Sequence, residues 1–490
     1  MSKIGVVLFS AALAVGMLFC GSYGGFADTM RKAKAQTVPS QPNIIFILTD
    51  DMRYDDLAYV PNTRSLLGDG GMSFKNAFVS TALCAPSRAT IMRGQYAHNT
   101  GVLSNSSIDS PSTDTGGWQA YQANGNEADN VATRLQGAGY RTGLFGKYMN
   151  GYGDNQTFIP RGWDRWFATQ NNYFNYNVND QGTTVHFGTS ESDYQTDVLS
   201  RQVNAFIAES ASSPQPAPFF AYVAPKAPHL PSIPAPRDAT LYDGATGPRL
   251  PSFDENVSDK PSWIRGRPSL TPSQIAGINT RHEKRIESLQ AVDDLVKGVI
   301  DTLDSSHALD NTYIFFTSDN GWHHGEHRIT GEKWRPYEED VHVPLLVRGP
   351  GVTAGSTTDR LALDTDYLPT FTDLAGTQTP SYVDGRTLRP VLGGSVTPWR
   401  SAILLEGAAH FSPAYEGIRT LNTSTTRKYI EYVGGEKELY YLLRDPYELT
   451  NRFKAASLPT GLSSRLGALR TCAASAQAPR VTCKVAEDRQ

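Results

Sequence analysis

Ten residues, PNIIFILTDD from Pro42 to Asp51, constrain the fold of this chain more than any others. The apolar stretch is continuous rather than alternating, and it ends in two acids. A strand that shows no alternation is buried on both faces, so this one belongs in the middle of a covered sheet and delivers charge at its carboxyl end. Other segments repeat the theme. NVATRLQGAGYRTGLFGKY (130–148) reads as an amphipathic helix, a glycine turn and a short strand ending at Lys147. PFFAYVAPKAPHLP (218–231) reads as a buried strand running into a Pro-rich loop. The segment 281–321 reads as a long helix, then a strand over Thr312–Thr317 that leads to Asp319 and Asn320, and VHVPLLVRGPG (341–351) as a further strand with a turn.

Strands alternating with helices predict an α/β domain with a mostly parallel sheet flanked by helices. Sites in such sheets lie at the carboxyl ends of the strands. Asp50, Asp51, Lys147, His229, Asp319 and Asn320 all fall at such ends. After DGRTLRPVLGG (384–394) the texture changes, and RKYIEYVGGEKELYYLLRDPYELTNR (427–452) reads as a hairpin with a glycine turn. These readings divide the chain into a large domain over 40–395 and a smaller one over 396–490 built on an antiparallel sheet. With 45 Lys and Arg against 49 Asp and Glu, the chain has no basic footprint for nucleic acid.

The N-terminus has Lys3, an apolar run from Ile4 to Cys20 and small residues leading to Ala27. That is the layout of a secretory signal over 1–27, which places the mature chain in the secreted or cell-envelope space. A membrane anchor and a lipid-modified Cys20 are the alternatives, the first weakened by the short, Gly-interrupted run and the second by the bulky Phe19. In an oxidising compartment Cys472 and Cys483, flanking a short polar segment, are expected to form a disulfide. Cys84 is then left alone in STALCAPSRATIM, among neighbours that do not make a core strand. Such a cysteine is either buried and inert or chemically used.

Two oxygen-donor pairs, Asp50 with Asp51 and Asp319 with Asn320, offer ligands from separate strand ends, as a hard cation such as Ca²⁺ or Mg²⁺ prefers. Taken singly, each pair reads more readily as a turn or a helix cap, and it is two pairs at the ends of buried strands that favour a metal site. Arg88, Lys147 and Lys333 supply positive charge for an anionic substrate, and His229 is a candidate acid or ligand.

These residues, taken together, resemble the type I sulfatases of the alkaline phosphatase superfamily. CAPSR matches the family's C-x-P-S-R signature, TDD its first metal pair, GKY its first lysine, PKAPHLP its histidine loop and TSDNGWHHGEHRITGEK its second metal pair and second lysine, all in family order. The resemblance implies an alkaline-phosphatase-like fold and hydrolysis of sulfate esters. It implies that a formylglycine-generating enzyme oxidises Cys84 to an aldehyde, whose hydrate attacks sulfur with one hydroxyl and expels sulfate with the other. Asp50, Asp51, modified Cys84, Asp319 and Asn320 would then hold Ca²⁺, with Mg²⁺ the alternative. Arg88, Lys147 and Lys333 would stabilise the developing charge, and His229 would protonate the leaving oxygen.

One departure stands out: where many sulfatases have a histidine two positions after the first lysine, this chain has Met149, followed by Asn150. The form GKYMN is similar to the GKYLN of N-acetylglucosamine-6-sulfatases and extracellular heparan endosulfatases, which implies a sulfated amino-sugar glycan as substrate. Asn150, His323 and His324 are the candidates for substrate contact, the histidines also for the displaced base. An arylsulfatase, and a phosphodiesterase or phosphonate hydrolase of the same superfamily, are the alternatives.

Overall fold

Residues Asn43–Thr49 form β1, and Ile44 to Leu48 are all fully buried. Successive side chains of a strand point to opposite faces. Ile44, Phe46 and Leu48 accordingly pack with the helices Cys84–Arg93, Val131–Gly137 and Tyr367–Leu374 on one side. Ile45 and Ile47 pack with Gln195–Ala211 and Pro272–Ser305 on the other. Each such enclosed apolar side chain contributes about 2 kcal/mol of burial, which explains why the run carries no polar residue. The computed structural model describes residues 41–106, 116–153, 157–169, 172–213, 215, 217–410, 412–422, 424–453, 458–473 and 482–489. The expected signal over 1–27, including Cys20 and Ala27, lies outside the described residues.

Nine more strands complete the sheet: β2 (Met72–Phe78), β3 (Arg141–Gly146), β4 (Arg165–Thr169), β5 (Tyr176–Asp180), β6 (Thr183–Phe187), β7 (Phe219–Ala224), β8 (Thr312–Ser318), β9 (Leu345–Arg348) and β10 (Ser356–Leu363). Their order is β10-β2-β9-β8-β1-β7-β3-β4-β5-β6. The centre, from β8 through β1, β7 and β3 to β4, is parallel. β9 is antiparallel to both of its neighbours, and β5 and β6 add an antiparallel edge. The sheet is therefore mixed but mostly parallel. Two helix starts are set by local chemistry. Asn130 with Thr133 and Thr271 with Gln274 form capping boxes, and Pro272 occupies the first helical position of the second.

A separate antiparallel sheet follows in the order β11 (Ala402–Gly407), β12 (Tyr415–Thr420), β13 (Arg427–Tyr432), β14 (Lys437–Tyr441). The β13–β14 turn uses Gly434 and Gly435 at φ of 107° and 90°, a region that L side chains avoid. Ile403, Leu405, Ile418 and Tyr429 of this sheet share a core with Phe78 and Leu363 of the large one and with Val79 and Val341 outside its strands. Cys472 and Cys483 are joined in a disulfide that ties the C-terminal helix Cys483–Asp488 to the preceding segment. Among the described residues no helix is long and apolar enough to cross a membrane.

Candidate active site

β1 and β8 lie side by side with Thr49 opposite Ser318, so Asp50 and Asp51 emerge next to Asp319 and Asn320 although some 268 residues separate the pairs. Lys147 leaves β3 and His229 follows β7 at the same sheet end. Cys84 is the first residue of the helix Cys84–Arg93, all of which is buried, and Leu83 before it is extended. Arg88 sits one turn further along and therefore faces the same way as Cys84.

The polar contacts interlock. Arg88 Nε donates to Asp319 Oδ2 at 2.9 Å and Nη1 to the Lys147 carbonyl at 2.9 Å. Its Nη2 forms ion pairs with Asp319 Oδ2 at 2.9 Å and Asp50 Oδ2 at 3.9 Å, neither with hydrogen-bond geometry. Lys147 Nζ pairs with Asp50 Oδ2 at 2.6 Å. Lys333 Nζ reaches both Asp51 Oδ1 and Cys84 Sγ, the latter at 2.7 Å. Cys84 Sγ is 3.4 Å from Asp50 Oδ1, and His229 Nε2 is 3.8 Å from Asp51 Oδ2. Asp51 adopts a left-handed backbone, φ 72°, held by its N–H to Asp319 Oδ1 at 3.1 Å and by Arg285, which donates to its carbonyl.

Burial and charge compete at each group. Burial works against ionisation of Asp50, but Lys147, His229 and Arg88 outweigh it and hold the carboxyl well below its usual range. Burial together with the charge of Asp50 pushes Asp319 up to about 6, against Arg88. Burial, helped by Asp50, pushes the Cys84 thiol up to about 12, so the unmodified cysteine is a neutral thiol and a poor nucleophile. Burial lowers His229 to about 4 despite Asp50 and Asp51.

A metal ion fits this arrangement. Asp50, Asp51, Cys84 and His229 bring ligand-capable atoms within 4.8 Å of one another. Two buried oxygens at the centre, Asp51 Oδ2 and Asn320 Oδ1, have no hydrogen-bond partner. Asn320 Nδ2 is occupied, donating to Asp51 Oδ1 at 2.6 Å and to the Gly321 carbonyl at 2.9 Å, which turns Oδ1 away from both. Orphaned buried oxygens are rare, and a hard cation satisfies them.

The remaining candidates lie further out. Asn150 is partly exposed, and its Oδ1 has no partner. His323 and His324 are fully buried: His323 Nδ1 is 2.6 Å from Asp340 Oδ1, and the His324 ring packs edge-on to His282 at 5.2 Å. Among the described residues no hydrogen bond links either ring to Cys84, Asp50, Asp51 or Asp319.

Sequence reasoning missed several supporting residues. Arg285 joins the Asp51 carbonyl to that of Pro228, the latter at 3.3 Å, bridging the ends of β1 and β7. A signal for it exists, because it interrupts the buried stripe Ile278, His282, Leu289, Val292 and Val296 at helical spacing. Ser318 accepts the Met52 N–H at 2.8 Å. Tyr173 donates to the His229 carbonyl at 2.6 Å, and Lys226 approaches the His229 ring; neither shows any spacing to find it by.

Comparison with known proteins bears on these observations. The sulfatase family profile matches residues 42–377, and that of the N-sulphoglucosamine sulphohydrolase C-terminal region matches 325–470. The chain is 37% identical over 359 residues to the extracellular sulfatase SULF-1 homolog of Drosophila melanogaster; the match covers 72% of this chain and 31% of the fly protein, so the chain spans under a third of that relative's length. It is 33% identical over 477 residues to human N-acetylglucosamine-6-sulfatase, covering 88% of this chain and 85% of the human one. Among solved structures, that of BT4656 in complex with its substrate D-glucosamine-2-N,6-O-disulfate shares the fold, with a TM-score of 0.73 at 24% identity, covering 87% of this chain and 97% of that one.

Proposed function

The chain belongs to the sulfatase family, and on that premise we propose that it is an exported sulfuric ester hydrolase that removes sulfate from amino-sugar glycans. The observation that carries the reading is the meeting of Cys84 with Arg88, Lys147 and Lys333 around two oxygen-donor pairs. The amino-sugar assignment is supported by the relatives, an N-acetylglucosamine-6-sulfatase and an extracellular sulfatase.

In this reading Cys84 is the precursor of formylglycine, installed by a formylglycine-generating enzyme, and the hydrated aldehyde supplies the attacking oxygen. Asp50, Asp51, Asp319 and Asn320 would hold Ca²⁺, or Mg²⁺, which supplies fixed positive charge and makes a hydroxyl more acidic. The chain's own residues do the rest. Arg88 Nη2, ion-paired with Asp319 but in no hydrogen bond, is a ready donor to a sulfate oxygen, and the ammonium groups of Lys147 and Lys333 flank the reacting position. Donors fixed in advance in a water-poor site are each worth about 10²–10³ in rate. His229 protonates the leaving sugar oxygen, a step worth about 10²–10⁴ when the leaving group is a poor one. We place substrate contact at Asn150 rather than at the enclosed His323 and His324, and assign the chemistry to residues 40–395 and the second sheet to 396–490.

Release of inorganic sulfate from N-acetylglucosamine 6-sulfate, compared with 4-nitrophenyl sulfate and with a matched phosphonate ester, tests the proposal. The amino sugar is expected to give the highest kcat/KM. Faster turnover of the phosphonate would instead support the phosphonate hydrolase reading.

A further inference from the structure

Beside His229 lies a buried cation to which the mechanism above gives no task. Lys226 lies two residues beyond β7 and is 3% exposed. Among the described residues its ammonium pairs with no carboxylate, since Asp50 is engaged by Lys147 and Asp51 by Lys333. Its Nζ is 3.2 Å from His229 Nδ1 and 5.8 Å from the centre of the Tyr173 ring. The backbone around it is fastened at three points. The Lys226 N–H donates to Gln195 Oε1 at 3.2 Å, the His229 N–H to the Lys226 carbonyl at 2.9 Å, and the Tyr173 hydroxyl to the His229 carbonyl at 2.6 Å.

His229 Nδ1 has a second neighbour, the Leu230 carbonyl at 2.7 Å. An ammonium only donates and a carbonyl only accepts, so the two neighbours demand opposite tautomers of the ring. If Nδ1 holds the proton and donates a hydrogen bond to the Leu230 carbonyl, Nε2 is bare and faces the site as a base. If Nδ1 accepts from Lys226, the proton sits on Nε2. The asymmetry favours Lys226: a hydrogen bond from an ionised donor is roughly twice as strong as a neutral one, and a buried ammonium left unsatisfied is destabilised far more than a carbonyl. Burial, which lowers Lys226 only to about 8, leaves it charged at neutral pH.

We propose that Lys226 is a positioning residue that holds the His229 proton on Nε2, where it faces the leaving oxygen of the ester. This rests on the reading of His229 as the general acid. Lys226 touches no reacting atom in this account; it acts through the ring, and when Lys226 is removed the ring proton moves to Nδ1, which donates to the Leu230 carbonyl.

The test uses the full-length, formylglycine-bearing enzyme and its Lys226→Met and Lys226→Arg variants. Two-bond ¹H–¹⁵N correlation spectra of the histidine rings, with His229 assigned by comparison with His229→Asn, report the tautomer. Values of kcat/KM across aryl sulfates of graded leaving-group pKa, and for N-acetylglucosamine 6-sulfate, report the acid. Wild type is expected to show the Nε2–H form and Lys226→Met the Nδ1–H form. The methionine variant should lose about 100-fold on the sugar sulfate but only about 3-fold or less on 4-nitrophenyl sulfate, with Lys226→Arg recovering most of the difference. A wild-type ring protonated on Nδ1, or an equal loss for every leaving group, overturns the inference while leaving the sulfatase reading intact. If wild type releases no sulfate from any ester, the sulfatase reading fails, and the tautomer spectra still decide whether Lys226 sets the ring.

Discussion

Replacing Arg88 with methionine should destabilise the fold by an amount that depends on pH. The side chain is fully buried and keeps two hydrogen bonds of 2.9 Å, one to the Asp319 carboxylate and one to the Lys147 carbonyl. A bond between charged groups contributes about 1.5–3 kcal/mol, and removing one partner of a buried ion pair costs about 3–5 kcal/mol because the other charge is stranded. Asp319 can escape by taking up a proton. Its carboxyl already stands at about 6 with Arg88 present, above the 3.8 of an exposed aspartate, and loss of the guanidinium raises it further. The sign follows from linkage. A carboxyl whose folded pKa is raised destabilises the fold as pH climbs from the unfolded value to the folded one. Wild type has taken that loss by about pH 6, whereas the variant goes on losing stability above it. The expected deficit is therefore about 2 kcal/mol at pH 5.5 and about 4 kcal/mol at pH 8. Urea denaturation followed by tryptophan fluorescence in metal-free buffer measures both. A deficit below about 1 kcal/mol at pH 8, or the same deficit at both pH values, would refute the reasoning.

Three other perturbations have defined outcomes. Cys472→Ser with Cys483→Ser opens a loop of sequence separation 11, and the chain-entropy relation gives a loss of about 3 kcal/mol in urea denaturation. His98, 2.9 Å from Glu406, is held up at about 9 because that carboxylate outweighs burial; its contribution is full below about 6.5 and fades as pH rises to about 9. It should amount to about 2 kcal/mol, and His98→Asn should flatten the stability profile across that window. Dialysis against a chelator should lower kcat/KM by at least about 100-fold and lower Tm, with Ca²⁺ restoring both; a metal-stripped sample with full turnover would contradict the site.

Legibility of the site in the sequence followed physical range. β1 was readable because burial on both faces leaves no polar residue between Ile44 and Leu48, and the helices at Val131 and Pro272 because caps and turns act within a few residues. Mutual placement was another matter. That Thr49 lies opposite Ser318 depends on sheet order, to which no local pattern speaks; it was their common place at strand ends, and then the ordered motifs of a known family, that joined Asp50 to Asp319 in advance. The antiparallel insertion of β9 between β2 and β8 was invisible for the same reason: its residues LLVR suit either direction. Lys226 escaped notice because a lysine in a Pro-rich loop reads as solvated surface, whereas here the turn that carries it is fastened to Tyr173 and Gln195 and the side chain is buried. His323 and His324 looked like loop polarity; Asp340 and His282 meet them from segments that the spacing did not link.

The central claim is that Cys84 works as the precursor of an aldehyde within a sulfatase site. The most direct measurement is the mass of the tryptic peptide from Asn76 to Arg88, taken from protein purified from its native source. The account predicts that the Cys84 thiol is replaced by an aldehyde or its hydrate. An unmodified thiol in native material that still releases sulfate would contradict it.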